Sequence, residues 1–185
     1  MSKYTFFNRI LPDAKFITTL VSQLYEDFEY NFNTQTEEIK DMVIRLKEVY
    51  KIEIKYIFAD FDDGEVVSKY GIKKTTDIYA KKFPGNYYIV FNKKNNFTEN
   101  RFLFLKVLAY ILFDKLATNE EIRLTIEATV VKEDLLAEEF AVEFLIPKWK
   151  FQILKKQHPD ADDVKWLELL KQLNLRLLTL RKKNM

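Results

Sequence analysis

One apolar segment constrains the fold of this chain more than any other feature. Residues 102–113 are all hydrophobic except Lys106, and Arg101 and Asp114 flank them. A helix that is apolar on every side is stable in water only when other elements surround it. A segment of this length is also too short to cross a bilayer. It therefore predicts a buried central helix, which we place at about 99–115.

The remaining sequence predicts further helices and a small sheet. With only 3 glycines and 4 prolines in 185 residues, the chain favours long helices over a turn-rich all-β fold. Hydrophobic residues recur at helical spacing in most of the chain and at every second residue in two short segments. Helices are predicted at about 16–28, 34–49, 131–145, 147–157 and 162–181, and strands at 52–58 and 87–91.

A loop that follows the first predicted strand superficially resembles a calcium-binding loop. Asp60, Asp62 and Asp63 supply carboxylates, and Gly64 follows them. The glycine does not stand where a calcium loop requires it, and no glutamate closes the loop. These residues therefore predict a turn.

Composition excludes several classes of function. The chain has no cysteine, which removes disulfides, thiol catalysis and cysteine-based zinc sites and fits a reducing compartment. Its single histidine, His158, cannot replace a pair of metal ligands. The net charge of +2 gives no strong field for nucleic acid or anionic lipid. Charged residues interrupt the apolar stretch near the N-terminus, so we expect a cytoplasmic protein that does not bind membranes.

Two short segments carry a resemblance to a known family. The first begins with Arg101 and Phe102, and the second, at 136–147, contains Phe140 and ends in Pro147. They resemble the two signatures of the ImmA/IrrE-type metallopeptidases, RFxxAHExxHxxxH and EAxxFAxxLLxP. The resemblance implies an α+β fold of the zincin-like type, mostly helical with a small β-sheet.

The resemblance also implies a division of the chain. The peptidase-like domain would cover residues 34–185, and residues 1–33 would form an added N-terminal amphipathic helix. Both parts are expected to belong to a single globular unit. The added helix either packs on the core or provides a contact for a partner, and a homodimer through this helix is one such contact.

The metal ligands of the family are missing from this sequence. Zinc peptidases place two histidines at i and i+4, on one helical face, with a glutamate beside the first histidine. Lys106, Val107 and Tyr110 stand at those three positions here. The third ligand position of the family corresponds to Leu136, or to Asp134 if the motif is shifted by two residues. We therefore expect no zinc cofactor, although active relatives bind one.

The residues that replace the ligands form the only polar stripe on the apolar helix. Lys106, Tyr110 and Asp114 recur every four residues. A buried lysine needs a partner, so one hypothesis is that the Lys106 ammonium takes the place of the metal and binds Glu138, Asp134 or Asp114. The alternative is that Lys106 reaches solvent, Tyr110 is an ordinary core aromatic, and Asp114 faces water near the helix end.

The resemblance implies a role in gene regulation. Active members of the family cleave helix-turn-helix repressors in bacteria, phages and other mobile elements. A member without metal ligands is expected to keep the surface that binds the repressor but to lose the proteolytic activity. This favours a non-catalytic, metallopeptidase-like regulator that binds such a repressor. One alternative is a hydrolase with unorthodox chemistry around Lys106 and Tyr110, which requires Lys106 to line an open cleft. The other is nucleic-acid binding through a basic helix at 171–183, which the net charge disfavours.

Overall fold

The protein is an α+β structure in which helices pack on both faces of a small mixed sheet. The computed structural model describes residues 14–28, 39–72, 76–113, 118–124 and 132–145, together with the isolated residues 147, 152 and 156. Within these ranges the elements, in chain order, are α1 (Ala14–Asp27), α2 (Ile39–Tyr50), β1 (Ile54–Ala59), α3 (Gly64–Tyr70), β2 (Ile78–Phe83), β3 (Asn86–Asn92), α4 (Phe97–Leu112), β4 (Glu121–Leu124) and α5 (Lys132–Leu145).

The sheet has the strand order β1-β3-β2-β4. β1 runs parallel to β3, with Phe58 opposite Phe91. β2 runs antiparallel to both β3 and β4, and Ile78 lies opposite Phe91 on one side and Leu124 on the other. A tight turn joins β2 to β3, and Gly85 at this turn has φ of +82°, a conformation that residues with a Cβ rarely adopt.

The predicted central helix is present and buried. α4 begins after Asn96, whose side chain accepts a hydrogen bond from the Glu99 N–H while the Glu99 carboxylate accepts one from the Asn96 N–H. This capping box satisfies two of the free N–H groups at the helix start. Nearly every later residue of α4 is buried against the sheet, α1 and α5. In the described part of the chain, no helix is both long and apolar enough to cross a membrane.

The N-terminal helix α1 packs on the core. Its apolar residues Ile17, Leu20 and Leu24 belong to the same buried cluster as α4 and α5. The Tyr25 ring meets the Phe144 ring edge-on, at 5.1 Å between centroids. The Tyr25 hydroxyl also donates a hydrogen bond to the Phe144 carbonyl oxygen. The apolar face of α1 is thus used within the chain, which is the first of the two alternatives for this helix.

The structure adds three short elements that the sequence pattern did not predict: α3, β2 and β4. The aspartate-rich loop is a turn, as predicted, and Asp63 at its end caps α3 by accepting a hydrogen bond from the Glu65 N–H. α3 covers part of the sheet face opposite α4, where Phe61, Tyr79 and Val90 form a second small cluster. The helices predicted at 147–157 and 162–181 lie outside the described residues, apart from three isolated positions.

Candidate functional site

Lys106 lies at the centre of the molecule, on the face of α4 that meets α5. Its side chain is 0% exposed, and its Nζ lies 3.6 Å from Oε2 of Glu138 on α5. The Phe102 ring lies one helical turn earlier on the same face, with its centroid 5.9 Å from Nζ. The prediction that Lys106 pairs with an acid is therefore confirmed for Glu138, and the alternative in which Lys106 reaches solvent is wrong.

The surroundings of the Lys106–Glu138 pair determine how it affects the stability of the fold. Glu138 is also buried, so both charges have lost most of their hydration, which costs several kcal/mol per ion. A separation of 3.6 Å is longer than an ordinary N–H···O hydrogen bond. The interaction is therefore mainly coulombic attraction across the interface between α4 and α5. Removing either partner would take this attraction away from a charge that stays in the core.

The other candidate residues are placed as follows. Val107 is fully buried, and Tyr110 is half-buried and packs against the main core, as expected of an ordinary core aromatic. Asp114 lies outside the described residues. Asp134 belongs to α5, one turn before Glu138, but its side chain is outside what the structure describes. Of the predicted set, the structure thus brings together Lys106 and Glu138.

The residues at this site do not fit a zinc ion. Zinc takes lone pairs from imidazole, thiolate or carboxylate groups, whereas a lysine ammonium has none to offer and Val107 is apolar. Glu138 supplies a single carboxylate next to Lys106. Among the described residues, no group of three or more His, Cys, Asp or Glu side chains is placed to hold a metal ion. His158 lies outside those residues.

The requirement for unorthodox hydrolytic chemistry is not met either. Such chemistry needs Lys106 at an open cleft, where a substrate can reach its amine. With 0% of its side chain exposed, Lys106 has no contact with solvent. The pair instead lies inside the contact between α4 and α5.

A second group of charged and polar residues, which sequence reasoning missed, lies on the opposite face of the sheet. We call it the Arg123 latch; it consists of Tyr70, Tyr79, Lys81, Glu121 and Arg123. The Glu121 carboxylate is bound on one oxygen by Lys81 Nζ at 2.9 Å and on the other by Arg123 Nη2 at 2.8 Å. The same Nη2 donates to the Tyr70 carbonyl oxygen at 3.0 Å, at the C-terminus of α3. The latch therefore joins α3 to the edge of the sheet.

The electrostatics of the latch follow from these contacts. The hydrogen bond from Lys81 is the main reason that the pKa of Glu121 lies below its usual value. Burial, with a further contribution from the hydrogen bond to Glu121, raises the pKa of Tyr79 to about 12. Gly71 leaves room for the guanidinium, because a Cβ built there would lie 3.0 Å from Arg123 Nη2. No sequence signal indicated this group, since its members come from three short elements.

Two of the three aspartates in the turn before α3 are already bound by lysines. Lys93 Nζ lies 2.9 Å from Oδ2 of Asp60, and Lys94 pairs with Asp62. The pKa of Asp60 is lowered, first by the hydrogen bond from the Asp62 backbone and then by Lys93. Cationic side chains therefore occupy the carboxylates that a calcium ion would need, which agrees with the prediction of a turn.

Comparisons with known proteins show a similarity to a solved structure but to no protein family. No protein-family model matches the chain, and a search of curated proteins gives no match. Among solved structures, the chain is similar to a Mycobacterium tuberculosis transcriptional regulator, with a TM-score of 0.55 and 14% sequence identity. The likeness covers 89% of this chain and 45% of the regulator, so the chain spans less than half of that protein. At this identity the likeness concerns the fold alone.

Proposed function

We propose that this chain is a non-catalytic regulatory protein with a zincin-like, metallopeptidase-derived fold, and that it acts by binding a protein partner. The partner class is a helix-turn-helix repressor of a bacterial, phage or other mobile-element system. The observation that carries the proposal is the buried Lys106–Glu138 pair on the helix face that would hold a metal in active peptidases.

The first support for the proposal is the chemistry of that helix face. A peptidase needs its metal, its activated water and its substrate at one solvent-accessible place. Lys106 and Val107 are instead fully buried, and the ammonium of Lys106 faces a carboxylate. An ion pair at this position is compatible with the fold, but it leaves no place for the metal and water that peptide hydrolysis requires.

The second support comes from the similar solved structure. That protein is described as a transcriptional regulator, and its fold is similar over 89% of this chain. A regulatory role is therefore a reasonable one to test first. A protein partner is a better candidate than DNA, because the net charge of +2 gives little of the electrostatic attraction on which nucleic-acid binding depends.

The test is a binding titration with a helix-turn-helix repressor encoded beside the gene for this chain. Isothermal titration calorimetry is carried out with a chelator, with added zinc and with added manganese. The expected result is the same affinity in all three conditions, with the repressor intact afterwards by mass spectrometry. Elemental mass spectrometry of the purified, tag-free chain should show far less than one equivalent of metal.

Two results would contradict the proposal. One is a tightly held equivalent of zinc or manganese that survives dialysis, because a metal site would then exist despite the residues at positions 106, 107 and 110. The other is cleavage of the repressor, provided that a chelator stops it. A useful control is the double variant Lys106→Met/Glu138→Leu, which replaces both charges by apolar side chains of similar size and should leave the affinity for the repressor unchanged if the pair serves only the fold.

A further inference from the structure

The edge strand β1 is exposed on both of its faces. Within the part of the chain that the structure describes, the sheet ends at β1. Successive residues of a strand point to opposite faces, and here Ile57 is 39% exposed on one face while Phe58 is 52% exposed on the other. Phe58 stacks on its neighbour Phe91, at 5.2 Å between centroids, and meets the ring of Tyr56 on the same strand edge-on at 6.0 Å. Neither layer of helices therefore covers the second half of this strand.

The backbone of β1 also offers hydrogen-bonding groups at the free edge. The Tyr87 N–H donates to the Glu53 carbonyl oxygen at 2.8 Å, and the Lys93 N–H donates to the Ala59 carbonyl oxygen at 2.9 Å. Odd-numbered residues of the strand therefore direct their backbone groups towards β3. Because the direction alternates along a strand, Ile54, Tyr56 and Phe58 direct theirs away from the sheet.

This edge has few of the features by which proteins prevent strands from pairing with other chains. Such features are prolines, bulges, inward-facing charges and above all lysines along the edge. β1 has one charged residue, Lys55, in its first half, and the segment from Tyr56 to Ala59 has none. A hydrophobic edge of this kind is stable in solution when another strand covers it.

We propose that a second copy of this chain covers the edge, by antiparallel pairing of β1 with β1 about a two-fold axis at Ile57. In this register Ile57 lies opposite Ile57 of the other copy, and Tyr56 lies opposite Phe58. The exposed apolar side chains of both faces are then buried against each other, and the outward backbone groups of Tyr56 and Phe58 bond across the interface. The proposal is independent of the proposed function.

The charges along β1 are compatible with this register and disfavour registers centred nearer the start of the strand. With the axis at Ile57, Lys55 lies opposite Ala59, and the two copies of Lys55 are well separated. An axis at Lys55 would place the two lysines directly opposite each other, and an axis at Tyr56 would place them on a diagonal; both arrangements bring like charges together. A net charge of only +2 also gives little overall repulsion between two copies. The apolar face of α1, by contrast, is used within the core.

The test uses the absence of cysteine from the chain. Since the backbone groups of Ile57 face β3, the two copies of this residue would form a pair without backbone hydrogen bonds, with Cα atoms about 4.5 Å apart. This distance lies within the range for disulfides, about 4.4–6.8 Å. The single-cysteine variant Ile57→Cys should therefore form a covalent dimer rapidly under mild oxidation. The matched control is Ile44→Cys on α2, a residue that is 44% exposed, and it should react slowly.

Sedimentation equilibrium of the unmodified full-length chain gives the second measurement. A dimer is expected, and Ile57→Lys should weaken it at least about tenfold, because two ammonium groups would then face each other. Phe58→Lys repeats this test on the other face, and circular dichroism checks that both variants are folded. A monomeric wild-type chain, which would leave the edge for a strand of another protein, would overturn the proposal. So would a dimer that both lysine variants leave intact, or Ile57→Cys reacting no faster than Ile44→Cys.

Discussion

The Lys106–Glu138 pair and the Arg123 latch both use charged side chains to join a helix to its neighbours, but their surroundings differ. The pair is enclosed by the core, with 0% and 6% of the two side chains exposed. The latch lies at the surface, where the Arg123 side chain is 34% exposed. Water and salt screen the latch, so its net contribution to stability is small. They hardly reach the pair, so the attraction between its two charges is screened much less.

This difference predicts opposite responses to removing one charge. In the core, loss of one partner leaves the other charge buried without that attraction, whereas at the surface the remaining partner is solvated by water. The number of ion pairs in a protein therefore says little about its stability unless burial is known for each.

The largest effect is expected from Lys106→Met. This change conserves most of the side-chain volume and leaves the Glu138 carboxylate in the core without the ammonium. The free energy of unfolding should fall by about 3–5 kcal/mol, measured by urea denaturation followed by circular dichroism. An unchanged or higher melting temperature would show that the ammonium does not stabilise the contact between α4 and α5.

Most of that loss should be recovered when the second charge is removed as well. In the double variant Lys106→Met/Glu138→Leu, both ions are replaced by apolar side chains of similar size. Because no charge is then desolvated in the core, the free energy of unfolding should return to within about 1 kcal/mol of the wild-type value, or exceed it. A double variant as unstable as Lys106→Met would mean that lost packing, and not the unpaired charge, causes the effect.

The smaller effect at the surface is tested through the glycine that makes room for the latch. Gly71 has φ of +58°, and a Cβ at this residue would lie 3.0 Å from Arg123 Nη2. Gly71→Ala should therefore cost about 1–2 kcal/mol, from backbone strain and displacement of the guanidinium. The matched control is Gly85→Ala, where φ is also positive, at +82°, but a Cβ meets nothing within 4 Å. Backbone strain alone should remain there, so the cost should be smaller than at Gly71. Equal costs at the two glycines would argue against the latch.

The sequence predicted the core better than the surface. A segment that is apolar on nearly every side is stable only in the core, so the burial of α4 was predictable. A buried Lys106 was also predicted to need an acidic partner. Which acid it meets depends on how α5 is rotated against α4, which local patterns do not determine. The latch was unpredictable for another reason. Arg123 and Tyr70 are 53 residues apart, and they lie in or beside the short elements β4 and α3, whose hydrophobic patterns are too brief to recognise.

The smallest effect concerns the pH dependence of the latch. The pKa of Glu121 is lowered in the folded protein, chiefly by the hydrogen bond from Lys81, from an ordinary value of 4.5. A carboxyl group with a lowered folded pKa contributes stability that is fully present above its unfolded pKa and is lost as the pH falls through the folded pKa. Glu121→Gln should therefore reduce stability slightly at about pH 7 and hardly at all well below about pH 4.

Two comparisons separate the latch from other effects of Glu121→Gln. Raising the salt concentration should reduce the difference between the variant and the wild type, because the three side chains are partly exposed to water and ions. The same salt should leave the loss caused by Lys106→Met nearly unchanged, because that pair is enclosed. If salt changed both losses equally, the distinction between the enclosed pair and the surface latch would be wrong. Urea denaturation of the two variants and the wild type, at two pH values and two salt concentrations, measures both effects together.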